Sequence, residues 1–212
     1  MRESAVLHRV KQGYTTGART LASRSIVGLT RTRVTPNALT TAGVSLCLAA
    51  AVIVFFENRN ELLFYWVGAT VFVIGSILDI LDGALARAGG KTTPFGSFLD
   101  STLDRVGEGA MLGAIALIFS RHGNQVALGA TVAAVAGSFL VSYTRAKAEG
   151  LGLKGDVGLG SRAERVVVIT AGLVLAPFHT LILPSAIALL TATAWLTVVQ
   201  RVLFVRKQLR GL

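Results

Sequence analysis

The sequence predicts an all-α, polytopic membrane protein with six transmembrane helices and an N-terminal interfacial amphipathic helix. Three observations lead to this fold class. Of the 212 residues, 52% are hydrophobic and only 15% are charged, and the mean hydropathy is +0.63. The charges are clustered and leave uncharged stretches of about twenty residues, the length that crosses a bilayer as a helix. A water-soluble domain of this size has too little interior to bury so much apolar surface.

Residues 1–33 are predicted to form a cytoplasmic, interfacial segment. Apolar and basic side chains alternate in it at near-helical intervals, which is typical of a helix lying in the membrane surface. They are Val6, Leu7, Val10, Tyr14 and Leu21 on one side and Arg9, Lys11, Arg19 and Arg24 on the other. The segment has neither the long apolar core nor the cleavage site of a signal peptide, so we expect it to be retained.

The first two spans are delimited by charge and by proline. Residues 34–56 are uncharged, with Pro36 near the expected helix start, and form the first span. The second span begins at Leu62. Its helical pattern continues beyond the apolar part into the charged stretch 79–87, so we expect one long helix that carries charges at its end.

Four further spans follow a loop at residues 88–96 that is rich in glycine, threonine and proline. The third span is expected at residues 97–120 and the fourth at 122–144. Residues 166–200 are uncharged and too many for one helix, and two prolines interrupt them. We therefore divide this stretch into a fifth and a sixth span, with a hairpin near residues 178–183.

The basic residues predict the orientation. Six spans put both termini on one side of the membrane, and all of the 21 lysines and arginines except Arg59 and Arg121 fall on that side. By the positive-inside rule this is the cytoplasmic side of the cell membrane, that is, the inner or plasma membrane. We expect one domain, residues 1–212, with a six-helix bundle at 34–205. Anionic lipid headgroups account for the net charge of +10, and no basic module suited to nucleic acid is found.

The aspartates are the strongest functional signal. Four of the five lie in or at the edge of predicted spans, where an ionised carboxylate is costly unless it is paired, hydrated or metal-bound; they are Asp79, Asp82, Asp100 and Asp104. A carboxylate-only set suits a hard cation such as Mg²⁺, and four carboxylates can hold two ions, with Mn²⁺ as the alternative. The competing interpretation is a set of intramembrane ion pairs, for example between Asp82 and Arg87.

The spacing of these residues places them on two helical stripes. One stripe holds Asp79, Asp82, Gly83, Ala86 and Arg87, and the other holds Gly96, Asp100 and Asp104. A short loop joins the two helices, so we expect antiparallel neighbours whose carboxylates converge near the cytoplasmic surface. Glu108 continues the second stripe by one turn. It is expected to be a partner of Arg105 or of a more distant basic residue, or to be purely structural.

The two stripes together form a motif. It reads Asp79-x2-Asp82-Gly83-x2-Ala86-Arg87-x8-Gly96-x3-Asp100-x3-Asp104. This pattern resembles the signature of the CDP-alcohol phosphotransferases at every fixed position, and the length and six-span layout are also similar to that family. The resemblance implies transfer of a phosphatidyl-type group from a CDP-linked lipid to an alcohol, release of CMP, and a homodimer.

The resemblance also implies roles for individual residues. Asp79, Asp82 and Asp100 would bind metal, and Asp104 would contact it and act as the catalytic base. Arg87 would lie on the diphosphate. The CDP-lipid site implied in this way comprises Asn37, Asp82, Gly83, Ala86, Arg87 and Gly96.

Basic residues near the cytoplasmic ends of spans four to six suggest a phosphate-bearing acceptor; they are Arg145, Lys147, Arg162, Arg165 and Arg201. The alternative is that they only follow the positive-inside rule. Within the family, residues 142–165 and 100–105 resemble prokaryotic phosphatidylinositol phosphate synthases, which implies inositol 1-phosphate as acceptor and a diacyl or ether CDP-lipid as donor. A phosphatidylglycerol phosphate synthase, or an enzyme with another acceptor, is the alternative. A transporter is less favoured, because neither broken helices nor an internal repeat is found.

Overall fold

The structure is a computed structural model that describes residues 35–90, 92–158 and 160–210. These residues form six α-helices and two short 3-10 helices, and they contain no β-strand. The helices are α1 (Pro36–Phe55), α2 (Glu61–Ala88), α3 (Pro94–Arg121), α4 (Gln125–Gly150), α5 (Arg162–Leu175) and α6 (Ile182–Arg210). The predicted interfacial helix at 1–33 lies outside the described residues.

The first five helices begin at a polar residue whose side chain accepts a hydrogen bond from a backbone N–H in the first turn. These N-caps are Thr35, Asn60, Thr93, Asn124 and Ser161. Proline follows the cap in α1 and α3, where its missing N–H costs nothing. Local sequence therefore fixes where these helices start.

Four helices are long and apolar enough to cross a membrane: α1, α2, α4 and α6. The chain is thus a multi-pass, all-helical membrane protein in its described part. The other two differ for separate reasons. α3 carries Asp100, Asp104, Arg105 and Glu108 in its first half, and α5 has only 14 residues, or about 21 Å, against a hydrocarbon layer of about 30 Å.

The observed helix bounds agree best with those predicted from helical periodicity and least with those predicted from the positions of charged residues. α2 does continue through the charged stretch to Ala88. α4, expected to end at Thr144, continues to Gly150, because a helix need not end where the apolar layer ends. Its last turns carry an i,i+4 ion pair between Arg145 and Glu149.

α1 lies between α2 and α3 and packs closely on both. α2 and α3 were expected to be direct neighbours, but they touch only sparsely, so this expectation needs correction. Glycines explain the arrangement. A Cβ on Gly75 of α2 would come within 2.7 Å of the Gly43 carbonyl oxygen of α1, and a Cβ on Gly107 of α3 would lie 3.1 Å from the Cys47 Cβ. Small residues thus let α1 enter the gap between the two acid-bearing helices.

The apolar core is formed around the second half of α3. Met111, Leu112 and Ile115 are fully buried there. α4 packs on α3 and α6, while α5 packs mainly on α6 and α2. Apolar side chains therefore fill the middle of the bundle.

The connection between α4 and α5 is fastened to α6. Arg201 of α6 donates from Nε to the Val157 carbonyl oxygen at 2.9 Å and from Nη1 to the Val141 carbonyl oxygen. Thr197 accepts a hydrogen bond from the Gly160 N–H at 2.9 Å. Gly158, with φ of +111°, lies so close to Thr197 that a Cβ would clash with it. This connection is consequently held against the bundle just before α5 begins.

The opposite end of the bundle is closed by a buried acid. Glu57, in the 3-10 turn between α1 and α2, has no exposed side-chain surface. Its carboxylate contacts Arg121 Nη1 at 2.9 Å and His122 Nε2 at 3.0 Å. The α1–α2 connection is thereby joined to the α3–α4 connection.

Candidate active site

Three aspartates from two helices come together at the end of the bundle where α2 ends and α3 begins. Asp79 and Asp82 lie in the last turns of α2, and Asp100 lies in the second turn of α3. One carboxylate oxygen from each lies within 4.8 Å of the other two. Carboxylate oxygens in this number and spacing are suited to a divalent cation.

Asp82 offers a carboxylate oxygen to such a cation. Its side chain is buried, and its Oδ2 accepts a hydrogen bond from the hydroxyl of Thr40 on α1. Its Oδ1 is also buried and finds no hydrogen-bond partner among the described residues. A buried, unpaired carboxylate oxygen is unfavourable by itself, and a hard cation would satisfy it. The residues present therefore fit a divalent metal ion.

Asp104 lies outside the three-aspartate group, although the four were expected to converge. Its Oδ1 is 2.7 Å from Nη1 of Arg162. The same guanidinium nitrogen also bonds to Oδ2 of Asp79. Arg162, at the first position of α5, thus bridges an acid of α2 and an acid of α3.

A cavity opens beside the three aspartates, with a volume of about 560 Å³ including the part open to solvent. All six residues expected to bind the CDP-lipid line it: Asn37, Asp82, Gly83, Ala86, Arg87 and Gly96. Asp100 also lines it, so the carboxylates and the cavity form one site. The starts of α1 and α3 and the end of α2 build its walls.

Two glycines keep space in this cavity. A Cβ on Gly83 would meet only the Arg87 side chain, 3.3 Å from Nη1. A Cβ on Gly96 would lie 3.0 Å from Thr93 Oγ1 and 3.6 Å from Asn37 Oδ1. Side chains at these positions would project among the polar groups of the site, and glycine leaves that room to a ligand.

Sequence reasoning missed Thr40, the residue that hydrogen-bonds to Asp82. Thr40 also lines the cavity. A signal was available, because Thr40 lies three residues after Asn37 and shares its helix face. A threonine in an apolar span usually bonds to its own helix, and the Thr40 hydroxyl does lie 3.1 Å from the Pro36 carbonyl oxygen. Only the close contact of α1 with α2 gives it a distant partner as well.

The five basic residues expected at an acceptor phosphate have different environments. Arg145 and Lys147 are exposed at the end of α4, and Arg162 is at the carboxylates. Arg165 and Arg201 are buried, and most of their donors are directed to protein acceptors. Arg201 holds the α4–α5 connection, as described above.

Arg165 is paired with Glu108. Its Nε and Nη2 donate to the two carboxylate oxygens of Glu108 at 2.6 and 2.8 Å, and its Nη1 donates to the Gly160 carbonyl oxygen at 2.6 Å. Glu108 therefore has a distant basic partner. Arg105, the nearby candidate, donates to the Ser101 carbonyl oxygen of its own helix.

Comparison with known proteins gives one consistent family. The family model described as CDP-alcohol phosphatidyltransferase matches residues 33–207. The phosphatidylinositol phosphate synthase of Streptomyces avermitilis is 36% identical over 189 residues, covering 85% of this chain and 75% of that protein. The archaetidylinositol phosphate synthase of Pyrococcus horikoshii is 34% identical over 210 residues, covering 97% of each.

Solved structures agree with this result. The phosphatidylinositol phosphate synthase PgsA1 of Mycobacterium tuberculosis with CDP-DAG bound superposes with a TM-score of 0.77 at 30% identity, covering 88% of this chain and 94% of that one. Its complex with manganese and citrate gives a TM-score of 0.76 at 31% identity, covering 87% and 88%.

Proposed function

Because the chain belongs to the CDP-alcohol phosphatidyltransferase family, we propose that it transfers the phosphatidyl-type group of a CDP-linked lipid to inositol 1-phosphate and releases CMP. The observation that carries the proposal is the convergence of Asp79, Asp82 and Asp100 beside a cavity that Arg87 also lines. The choice of acceptor is supported by two relatives that are named phosphatidylinositol phosphate synthase and archaetidylinositol phosphate synthase.

The donor's nucleotide part binds in the cavity. Arg87 contacts the diphosphate, because a guanidinium offers paired N–H donors to phosphate oxygens. Asn37, Ala86 and the backbone at Gly83 and Gly96 line the remaining surface. The absence of a Cβ at the two glycines allows the nucleotide to approach the helix backbones.

Asp79, Asp82 and Asp100 would hold Mg²⁺ or Mn²⁺, and Asp104 would contact the metal. Four carboxylates could hold two such ions. When bound, the metal neutralises charge on the diphosphate and on the departing CMP. Thr40 fixes the orientation of Asp82 through its hydrogen bond, so that Oδ1 is left for the cation.

Asp104 acts as the base. It accepts the proton of the acceptor hydroxyl while that oxygen forms a bond to the phosphorus bearing the lipid, and the bond from this phosphorus to the CMP oxygen breaks. Arg162, whose Nη1 lies 2.7 Å from Oδ1 of Asp104, orients the carboxylate until the acceptor arrives.

The acceptor's phosphate binds to the basic groups next to Asp104. Arg162 is the central one, and Arg145 and Lys147 at the end of α4 approach from the exposed side. Arg165 and Arg201, whose donors are largely engaged, contribute positive potential and hold the α4–α5 connection in place.

The membrane arrangement is part of the proposal. All six helices span the bilayer, with both termini and the active site on the cytoplasmic side of the plasma membrane. Asp100 of α3 lines the cavity, and the other two acids of this helix are paired with arginines of α5. α5 is extended by the following 3-10 turn at Ala176–Phe178. The chain functions as a homodimer of single-domain subunits.

The direct test measures CMP release by the purified protein. CDP-diacylglycerol or its dialkyl analogue is supplied with Mg²⁺ and with inositol 1-phosphate, glycerol 3-phosphate, free inositol or serine. We expect CMP to be released with inositol 1-phosphate. Release of CMP with glycerol 3-phosphate alone would instead identify glycerol 3-phosphate as the acceptor, as in a phosphatidylglycerol phosphate synthase. Asp104→Asn should lower the rate by about 10²–10⁴-fold, whereas Asp156→Asn, which changes an exposed acid outside the site, should not.

A further inference from the structure

The proposed function uses Arg165 only for its positive potential and its hold on the α4–α5 connection, and it gives Glu108 no role. The ion pair between these two residues is nevertheless bidentate and buried in the bundle interior. Two N–H donors meet two carboxylate oxygens at 2.6 and 2.8 Å. Each side chain is about 5% exposed. A buried guanidinium–carboxylate fork of this kind fixes relative position and orientation more strictly than an apolar contact does.

Glu108 and Arg165 form the second rung of a two-rung ladder between α3 and α5. On α3, Glu108 lies one helical turn after Asp104. On α5, Arg165 lies one turn after Arg162. The first rung is the contact between Arg162 and Asp104 at 2.7 Å. Both rungs join the same two helix faces, so the position of one constrains the other.

The ladder is a principal link of α5 to α3. α5 packs mainly on α6 and α2, and the ladder adds polar contacts with α3. Arg165 adds a third tie, because its Nη1 donates to the Gly160 carbonyl oxygen at 2.6 Å. Gly160 directly precedes the N-cap of α5, Ser161. Thr197 of α6 also holds Gly160, and Arg165 adds a connection from α3 to the start of α5, next to Arg162.

We propose that Glu108 is a positioning residue. Through Arg165 it sets the register of α5 against α3 and so holds the Arg162 guanidinium beside Asp104, where the acceptor's phosphate and its reacting hydroxyl must both be received. The inference rests on the proposed function, because it assumes that Arg162 contacts the acceptor.

Kinetics with both substrates separate this role from general damage. In Glu108→Gln the KM for inositol 1-phosphate should rise by about 10–100-fold, the range typical of an outer partner that orients a functional group. The KM for CDP-diacylglycerol should stay unchanged, because Glu108 does not line the cavity that holds Arg87. Glu108→Asp, which keeps the charge, should recover part of the acceptor affinity. Equal changes in both KM values would overturn the inference.

A double-mutant cycle tests whether Glu108 acts through Arg162. Arg162→Gln alone should also raise the KM for inositol 1-phosphate. If Glu108 works only by placing Arg162, Glu108→Gln should cause little further change in the Arg162→Gln background. Fully additive effects would refute the positioning role and leave the proposed function intact. A wild-type KM for inositol 1-phosphate in Arg162→Gln would instead refute the proposed acceptor site.

A variant that lacks both buried charges separates the positioning role from a loss of stability. Replacing one partner leaves a lone buried charge, but replacing both by apolar residues of similar size is often tolerated. Glu108→Met combined with Arg165→Met should keep the melting temperature in detergent near that of the wild type and still show the raised KM for inositol 1-phosphate. A stable double variant with normal acceptor kinetics would contradict the inference.

Discussion

The hydroxyl of Thr40 on α1 donates a hydrogen bond to Oδ2 of Asp82 on α2. This contact places a helix without any charged residue next to the carboxylates. It depends on the close approach of α1 and α2 at Gly43 and Gly75, one helical turn further along α1. The properties of the acidic site therefore depend on residues that carry no charge.

Thr40→Val should weaken metal binding. The substitution keeps the shape of the side chain and removes the donor that orients Asp82, and partners of ligating groups typically contribute about 10–100-fold in affinity. The measurement is a titration of the purified protein with Mn²⁺, together with the metal dependence of CMP release. Thr41→Val is the matched control, because the exposed Thr41 hydroxyl donates only to the Asn37 carbonyl oxygen of its own helix. Equal affinities in the two variants would contradict the assigned role of Thr40.

Gly75→Ala should destabilise the bundle. The new Cβ would lie 2.7 Å from the Gly43 carbonyl oxygen and 2.9 Å from Cys47 Sγ, and overpacking of this kind costs about 1–3 kcal/mol. Thermal unfolding in detergent should show a lower Tm. Gly113→Ala, whose Cβ would meet no neighbouring atom within 4 Å, should leave Tm unchanged or raise it slightly. A similar loss in both would mean that the α1–α2 contact is not the cause.

Gly83→Ala should impair donor binding. The added Cβ would lie 3.3 Å from Arg87 Nη1 and displace the guanidinium from its place in the cavity. A hydrogen bond to a charged group contributes roughly 1.5–3 kcal/mol, so the KM for CDP-diacylglycerol should rise by about 10–150-fold. The KM for inositol 1-phosphate should not change. Gly129→Ala serves as control, since nothing lies within 4 Å of its Cβ position.

Glu57→Gln should affect stability and leave catalysis intact. Loss of the carboxylate removes the charged partner of Arg121, and because Arg121 is still 30% exposed we expect a cost of about 1–3 kcal/mol. Tm should fall, while both KM values stay at their wild-type levels, because Glu57 is at the far end of α2 from the aspartates. Glu61→Gln, at an exposed position, is the control. A change in either KM would show that the two ends of the bundle are coupled.

The sequence predicted the helices well, because their determinants are local. The stripe from Asp79 to Arg87 required α2 to continue past its apolar part, and it does so to Ala88. Charge was a poorer guide at the end of α4, since Arg145 and Glu149 extend the helix beyond the apolar layer. The six residues that the family resemblance implied for the CDP-lipid all line one cavity.

The partners of the charged groups were not predictable, because they come from helices far apart in sequence. The sequence placed Arg162 among the basic residues expected near an acceptor phosphate, but only the fold shows that it contacts Asp79 and Asp104. For Glu108 the sequence left open a partnership with Arg105, a more distant basic partner or a purely structural role. That the partner is Arg165, 57 positions away, follows from the packing of α5 and not from any local pattern.

The cavity also has an electrostatic polarity that comes from the backbone. α1 and α3 both begin at it, through Asn37 and Gly96, while Asp82 and Asp100 supply acids to the same space. The first turn of a helix carries roughly half a positive charge on its free N–H groups. A ligand with an anionic part and an associated cation is thus favoured in one direction only, with the anion toward the helix starts. Because peptide dipoles create this preference, no single side-chain replacement removes it.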